Sequence, residues 1–586
     1  MKQFLKFVLA TITGLILTFF ILMIIFSAII GIATKDKTKP VAANSVLHLD
    51  LNYPIPERTS EDPFENFDFQ SFEPDLHPGL NDILASIKSA KSDDDIKGIY
   101  IEMSSIEAGY TTIKAIRDAL VDFRESGKFI TAYGEYVDQR AYYLGSAADE
   151  VYLNPKGYVD FRGIGIQSMF FKGTLDKLDI DMQVFKTGDY KSAAESFTRE
   201  DYSESNRAQI REYVEDVYNV ILTDISVTRE KSKDELITIA DEMLAMMPSG
   251  AVSTGLIDGT WYFDEVATSI KDKAGIDQDD KLKFLSLKDY SANVKKSSGF
   301  SKDKIAIIYA SGGIVDGEGE ANQVDSKRFA KAIKKVREDE KIKGVVLRVN
   351  SPGGSALASE VIWRELKLTK DKKPVVVSMG DVAGSGGYYI SCGADKIFAE
   401  PTTITGSIGV IGAVPNMEGF FNSKLGMTFD EIETGEYSVF GGGAKPLSEA
   451  EQQFIQRGVD SVYISFKSRV SKGRNIPMET VDALAGGRIY SGEDALDIKL
   501  VDELGGISDA LDEVVELTGL EDYRVVNYPK RKNPLQQIMS SVSTESAARN
   551  LIKKEMGSYL EVYETLQMFN NWNPIQTRMF MDLDLK

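Results

Sequence analysis

Histidine is nearly missing from this chain: His48 and His77 are the only two in 586 residues. A Ser-His-Asp or Cys-His mechanism needs an imidazole, and residues 78 to 586 offer none. Histidine-built zinc sites lack support for the same reason. Cys392 is the sole cysteine, so intrachain disulfides and thiolate metal clusters are excluded. Positive charge is also short, with 68 Lys and Arg against 89 Asp and Glu and a formal charge of −21. Nucleic acid, which needs a clustered basic surface, is therefore not an expected partner. A solvated acidic surface is the plainer meaning of that charge. The chemistry must run on Ser, Lys, Asp, Glu, Tyr and backbone amides, and no metal or other cofactor is indicated.

At this length one hydrophobic core does not suffice, and two domains or more are expected. From Phe7 to Thr34 no residue carries a charge, and Leu, Ile and Phe dominate. Roughly 20 apolar residues span a bilayer, so residues 1–40 read as a single membrane anchor, longer than the apolar run of about 7–15 residues in a signal peptide. Gly31-Ile32-Ala33 does resemble a small-x-small cleavage site. Lys2 and Lys6 before the run nearly balance Lys35, Lys37 and Lys39 after it, so charge alone does not orient the span.

The remainder is written twice. Ile96-Lys97-Gly98 recurs as Ile342-Lys343-Gly344, and at the same offset Tyr142-Tyr143 match Tyr388-Tyr389, Ala148-Asp149 match Ala394-Asp395, and Gly163 matches Gly409. The expected units are 45–295 and 303–520, followed by a helical tail over 521–586. Each half alternates strand and helix. In the second, Lys304–Tyr309, Val345–Val349 and Val375–Ser378 read as buried strands. Phe329, Ala332, Ile333 and Val336 place a helix over 326–338, and further helices are expected at 356–369 and 386–393. Repeated β-α units imply an α/β class with a mainly parallel sheet in each half.

The copies differ where chemistry is expected. Asn350-Ser351-Pro352-Gly353-Gly354 ends a strand and leads into a helix, where glycine amides can point at a developing oxyanion. Its counterpart, Ser104-Ser105-Ile106-Glu107-Ala108, has neither the proline nor the glycine pair. An ordinary strand-to-helix turn is the alternative. Ala383-Gly384-Ser385-Gly386-Gly387 has the small residues of a sharp turn that exposes a serine Oγ; such a string is also common in plain loops. The first-half counterpart of Ser385 is Gln139. Conversely, Lys191 in Gly188-Asp189-Tyr190-Lys191-Ser192-Ala193 matches Ser438 in Gly435-Glu436-Tyr437-Ser438. A lone lysine is normally a surface charge, but here each half has kept what the other lost. Ser385 as nucleophile and Lys191 as general base follow, on condition that burial lowers the lysine from its ordinary value of about 10.4.

These motifs, with Thr405-Gly406-Ser407-Ile408-Gly409, resemble signal peptide peptidase A in its long, duplicated bacterial form, a family of Ser-Lys dyad proteases with the Clp-protease/crotonase fold. The resemblance covers about residues 45 to 520 and includes the single amino-terminal anchor. It implies tandem β-α superhelical domains, with Ser385 and Lys191 as the dyad. It further implies that Ser407 orients Lys191, and that the amides of Gly354 and Gly386 form the oxyanion hole. A homotetramer on the periplasmic side of the bacterial inner membrane, degrading cleaved signal peptides and other apolar peptides, is implied as well. Asn350 stands where many relatives have Asp.

Two rivals stay open on sequence. An acyl-CoA enzyme of the crotonase type would share the glycine motifs but would not account for the anchor or the divided pair. A non-catalytic membrane scaffold would have no reason to keep both Ser385 and Lys191. The tail carries Tyr559, Tyr563, Phe569, Trp572, Met579 and Phe580, a pattern that fits an amphipathic helix touching membrane, substrate or another subunit, or plain core packing.

Overall fold

The computed structural model describes residues 40–60, 77–297, 301–441, 443–530 and 575–579, with scattered positions among residues 3–21 and two short strands, Phe67–Asp68 and Glu73–Pro74. The expected span over Phe7–Thr34 falls mostly outside the described residues. Among those described, no helix is long and apolar enough to cross a membrane. Most of the expected helical tail also lies outside them, and its described parts include the strands Arg524–Tyr528 and Gln576–Arg578.

The duplication is visible in the order of the strands. The first-half sheet runs Gly259–Thr260, Glu150–Val159, Phe129–Val137, Ile96–Met103, Ser45–Asp50, Phe284–Ser286, every pairing parallel. The second half repeats it as Glu503–Leu504, Lys396–Ala399, Val375–Gly384, Ile342–Ser351, Lys304–Ser311, Arg524–Tyr528, again parallel throughout. The three strands from Ile96, Phe129 and Glu150 recur at Ile342, Val375 and Lys396, in the register of the sequence repeat. Runs such as Val375-Val376-Val377 have no polar alternation because helices cover both faces of a parallel sheet. Ser326–Glu338 forms the expected helix, opened by the Asp325 carboxylate accepting from the Arg328 amide at 2.7 Å.

One strand runs further than expected. Val375–Gly384 continues past Ser378 because Val382, Ala383 and Gly384 pair with Ile404, Thr405 and Gly406. That extension carries the chain straight to Ser385.

The halves are locked together in two ways. Asp181–Lys186, from the first half, lies antiparallel to Ile411–Asn416 of the second over six residue pairs. Elsewhere the contact is polar and buried. Arg348, 2% exposed, donates through Nε to Glu57 at 2.8 Å and through Nη1 to Ser378 Oγ and the Met379 carbonyl, both at 2.8 Å. The Asp381 carboxylate accepts from the Thr112 amide at 3.0 Å and its hydroxyl at 2.7 Å. Removing one member of such a pair would strand a buried charge, at a cost of about 3–5 kcal/mol. The first-half core also reaches across, taking in Ile404 and Ile489.

Candidate active site

Ser385 sits between the strand Val375–Gly384 and the helix Gly386–Ser391. Its backbone is held at φ 54°, ψ −112°, a region that residues with a side chain seldom occupy and that costs on the order of 1–3 kcal/mol. The surroundings impose it. The Ser385 amide donates to the Gly406 carbonyl at 2.9 Å, and a Cβ on Gly387 would lie 2.6 Å from the Ser351 carbonyl oxygen. The turn can close only where its flanks carry no side chain.

Lys191 reaches this serine from the other half. Five residues after the shared strand ends at Lys186, its ammonium nitrogen lies 2.8 Å from Ser385 Oγ, 3.0 Å from Ser407 Oγ and 3.1 Å from the Ser407 carbonyl oxygen. No carboxylate is among these partners. The side chain is 2% exposed, and loss of hydration lowers its pKa to about 7. Its backbone is wedged from below: Gly487, at φ +89°, leaves a Cβ position only 2.6 Å from Lys191 N and Cα. Gln209 clamps both segments, donating to the Tyr190 carbonyl at 3.1 Å and accepting from the Ile489 amide at 3.1 Å. Ser407, at φ 50° and 2% exposed, is fixed by its amide donating to the Arg488 carbonyl at 2.7 Å.

The glycine loop closes the third side. Gly353 and Gly354 have φ of +92° and +151°, and a Cβ on Gly353 would meet the Gly386 nitrogen at 2.6 Å. The glycine loop thus packs directly against the backbone nitrogen of Gly386, next to Ser385. Asn350, just ahead of the loop, donates to Glu57 at 2.9 Å and accepts from the Val382 amide at 3.1 Å, tying the loop to the strand that carries the serine. All five residues singled out in the sequence, Ser385, Lys191, Ser407, Gly354 and Gly386, therefore fall in one place.

The counterparts do structural work. Gln139 donates to the Tyr110 hydroxyl at 3.3 Å and accepts from the Arg162 amide at 3.1 Å. Ser438 closes its own turn, accepting from the Gly435 amide at 3.0 Å. His48 packs on Tyr100 and Phe284 in the first half, and His77 stacks on Tyr53. Burial pushes the Cys392 thiol up to about 12, which leaves it inert. Among the described residues, no cluster of three or more His, Cys, Asp or Glu could hold a metal ion.

Sequence reasoning passed over Gly486-Gly487-Arg488, whose glycine pair between a helix and a strand is a turn signal. It also missed Glu57 and Asp381, which have no motif and act only through burial.

Comparison with known proteins assigns the family. The model of peptidase family S49 matches twice, over residues 122–277 and 367–521, one match in each half. The chain belongs to peptidase family S49. Protease 4 of Haemophilus influenzae is 34% identical over 492 residues, covering 80% of this chain and 79% of that protein. The chloroplastic serine protease SPPA of Arabidopsis thaliana is 33% identical over 72% of this chain and 63% of its own. A putative signal peptide peptidase SppA of Enterococcus faecium is 41% identical over 236 residues, 39% of this chain and 68% of that one. This S49 chain is a serine protease, and the crotonase-type and scaffold readings fall away.

Proposed function

We propose that this S49 protease is a membrane-bound endopeptidase that degrades cleaved signal peptides and other apolar peptides with a Ser385–Lys191 dyad. The observation carrying this reading is the 2.8 Å approach of a buried lysine nitrogen to the serine oxygen. A neutral amine has two N–H donors and one lone pair. Ser407 Oγ and the Ser407 carbonyl take the two donors, and the lone pair is left for the Ser385 hydroxyl.

In the reaction Ser385 Oγ attacks the peptide carbonyl while Lys191 takes its proton. The amides of Gly354 and Gly386 donate to the oxyanion as charge develops there. Collapse expels the amine, which receives the proton from Lys191, and leaves an acyl group on Ser385. Water, deprotonated by the same lysine, then hydrolyses the ester. Ser407 is a positioning residue that keeps the lone pair aimed.

Two further parts of the reading have separate support. Anchoring in the bacterial inner membrane, with the catalytic halves on the periplasmic side, rests on the uncharged run Phe7–Thr34 and on the resemblance. The homotetramer and the signal-peptide substrate rest on the resemblance alone; for the substrate, the name of the Enterococcus relative adds weight.

Ser385→Ala and Lys191→Ala are expected to lower hydrolysis of an apolar peptide by about 10⁴-fold or more, with circular dichroism unchanged. Full activity in purified Lys191→Ala would sink the assignment.

A further inference from the structure

One buried amide is bonded both to the peptide beside the lysine and to the strand beside the serine. Gln209 lies on the helix Glu204–Thr228 of the first half and is 2% exposed. Its Nε2 donates to the carbonyl of Tyr190, the residue just ahead of Lys191, at 3.1 Å. Its Oε1 accepts from the Ile489 amide of the second half at 3.1 Å. Ile489 stands opposite Gly406 in an antiparallel pair, and the Gly406 carbonyl accepts from the Ser385 amide at 2.9 Å. Tyr190 is tied at its other end too, its amide donating to the Gly486 carbonyl at 3.1 Å. A continuous frame thus joins the backbone at Lys191 to the backbone at Ser385, and Gln209 is the side chain that closes it.

Gln209 is itself held by two buried neighbours. Its Nε2 also donates to Asn206 Oδ1 at 2.9 Å, and Asn206 Nδ2 donates to the Glu195 carboxylate at 2.9 Å. Glu195 lies four residues past Lys191, and its carboxylate accepts from the amide and hydroxyl of Ser203, at 3.1 and 2.6 Å, where Ser203 caps this same helix. Asn206 and Glu195 are 4% and 6% exposed. Positions 206, 209 and 213 share a helix face, and Tyr213 extends the contact with its hydroxyl donating to the Thr402 carbonyl of the second half at 3.0 Å. A side-chain amide has one acceptor oxygen and two donor hydrogens. At Gln209 each has its partner, which leaves the group a single orientation.

We infer that Gln209 is a positioning residue for the dyad, setting Lys191 against Ser385 across the junction of the halves, with Asn206 and Glu195 holding it in place. The inference rests on the Ser385–Lys191 reading. It makes the alignment of the base depend on docking, because the amide can bond to Tyr190 and Ile489 together only when the halves are seated. With Tyr190 bonded at one end alone, the peptide ahead of Lys191 can pivot, and a displacement of about 1 Å at a reacting group costs about 100-fold in rate.

The test follows two quantities in the full chain: the rate at which a fluorophosphonate labels Ser385 in each labelling-competent molecule, and the fraction labelled at completion. Gln209→Leu keeps the volume and removes the amide. It is expected to label to completion about 100-fold more slowly, and kcat on an apolar peptide should fall by the same factor with little change in KM. Asn206→Ala frees Gln209 without touching Tyr190 or Ile489 and should slow labelling about tenfold. The double variant should be no slower than Gln209→Leu, as expected of residues acting through one contact. Glu212→Ala is the control: it removes a half-exposed ion pair from the same helix to Arg488 at 2.6 Å and should change the rate less than twofold. An unchanged rate in Gln209→Leu, or a fast rate in a reduced fraction of molecules, overturns the inference and leaves Gln209 a structural residue. Equal slowing in Glu212→Ala overturns it too, since docking as a whole would then govern the rate. Additive losses in the double variant overturn the link through Asn206. Where Gln209→Leu fails to fold, Asn206→Ala decides by the same readouts. Full-rate labelling of Lys191→Ala, run alongside, overturns the dyad reading itself.

Discussion

On the proposed dyad the protonation of Lys191 sets the rate of acylation, and burial, which lowers its pKa to about 7, offers a way to move that rate. With a pKa of about 7, the amine is neutral in about 10% of molecules at pH 6 and about 90% at pH 8. A hydrated lysine with its ordinary value of 10.5 would be neutral in only about 0.03% at pH 7. Labelling of Ser385 by a fluorophosphonate should therefore rise about tenfold from pH 6 to a plateau above pH 8. Ser407→Asp tests the cause. It sets a carboxylate where Ser407 Oγ now lies 3.0 Å from the nitrogen, and an adjacent opposite charge favours the protonated amine, moving the midpoint to about 8–10. At pH 7 the variant should label about 5- to 500-fold more slowly and approach the unaltered protein near pH 10. The assay is a set of pseudo-first-order labelling curves from pH 5.5 to 10, each corrected for reagent hydrolysis. A midpoint above 9 in the unaltered protein refutes the reasoning. So does a Ser407→Asp variant that is equally slow at every pH, since geometry alone would then explain the loss.

Two further outcomes follow from the same contacts. Because the folded pKa of Lys191 lies below its unfolded value, folding is penalised wherever the unfolded lysine is protonated. The penalty is about 5 kcal/mol, full below pH 7, shrinking from pH 7 to 10.5 and absent above; Lys191→Met should raise the melting temperature most at pH 6 and hardly at all near pH 10.5. Gly487→Ala drives a methyl group to 2.6 Å from the Lys191 backbone at a φ of +89°. A displacement of about 1 Å at the lysine should lower kcat by about 100-fold with little change in KM, as measured on an apolar peptide.

Much of this architecture was legible because duplication leaves a second copy to compare. The 246-residue register between Ile96 and Ile342 located the repeated strands, and the exchange of Ser385 for Gln139 and of Lys191 for Ser438 picked out two side chains that meet at 2.8 Å. What the sequence hid depends on contacts between residues far apart in the chain. Nothing near Glu57 announces that it meets Arg348 across 291 positions, and Met379–Gly384, with glycines at 380 and 384 and Asp381 between them, does not read as a strand until Ile404–Gly406 pairs with it. The tail reads as amphipathic helix by composition, but Gln576–Arg578 becomes a strand because two unsatisfied edges await it. Tertiary demand outweighs local propensity there.

The division of the proposed Ser385–Lys191 dyad between copies also has a consequence in time. Ser385 follows Lys191 by 194 residues, which a ribosome working at about 5–20 residues per second covers in roughly 10–40 s. During that interval the nascent chain holds a base with nothing to activate. The lysine approaches the serine only after Ile411–Asn416 has been made to pair with Asp181–Lys186. On that reading, a nascent chain that has not yet reached residue 385 lacks the nucleophile with which to cut itself.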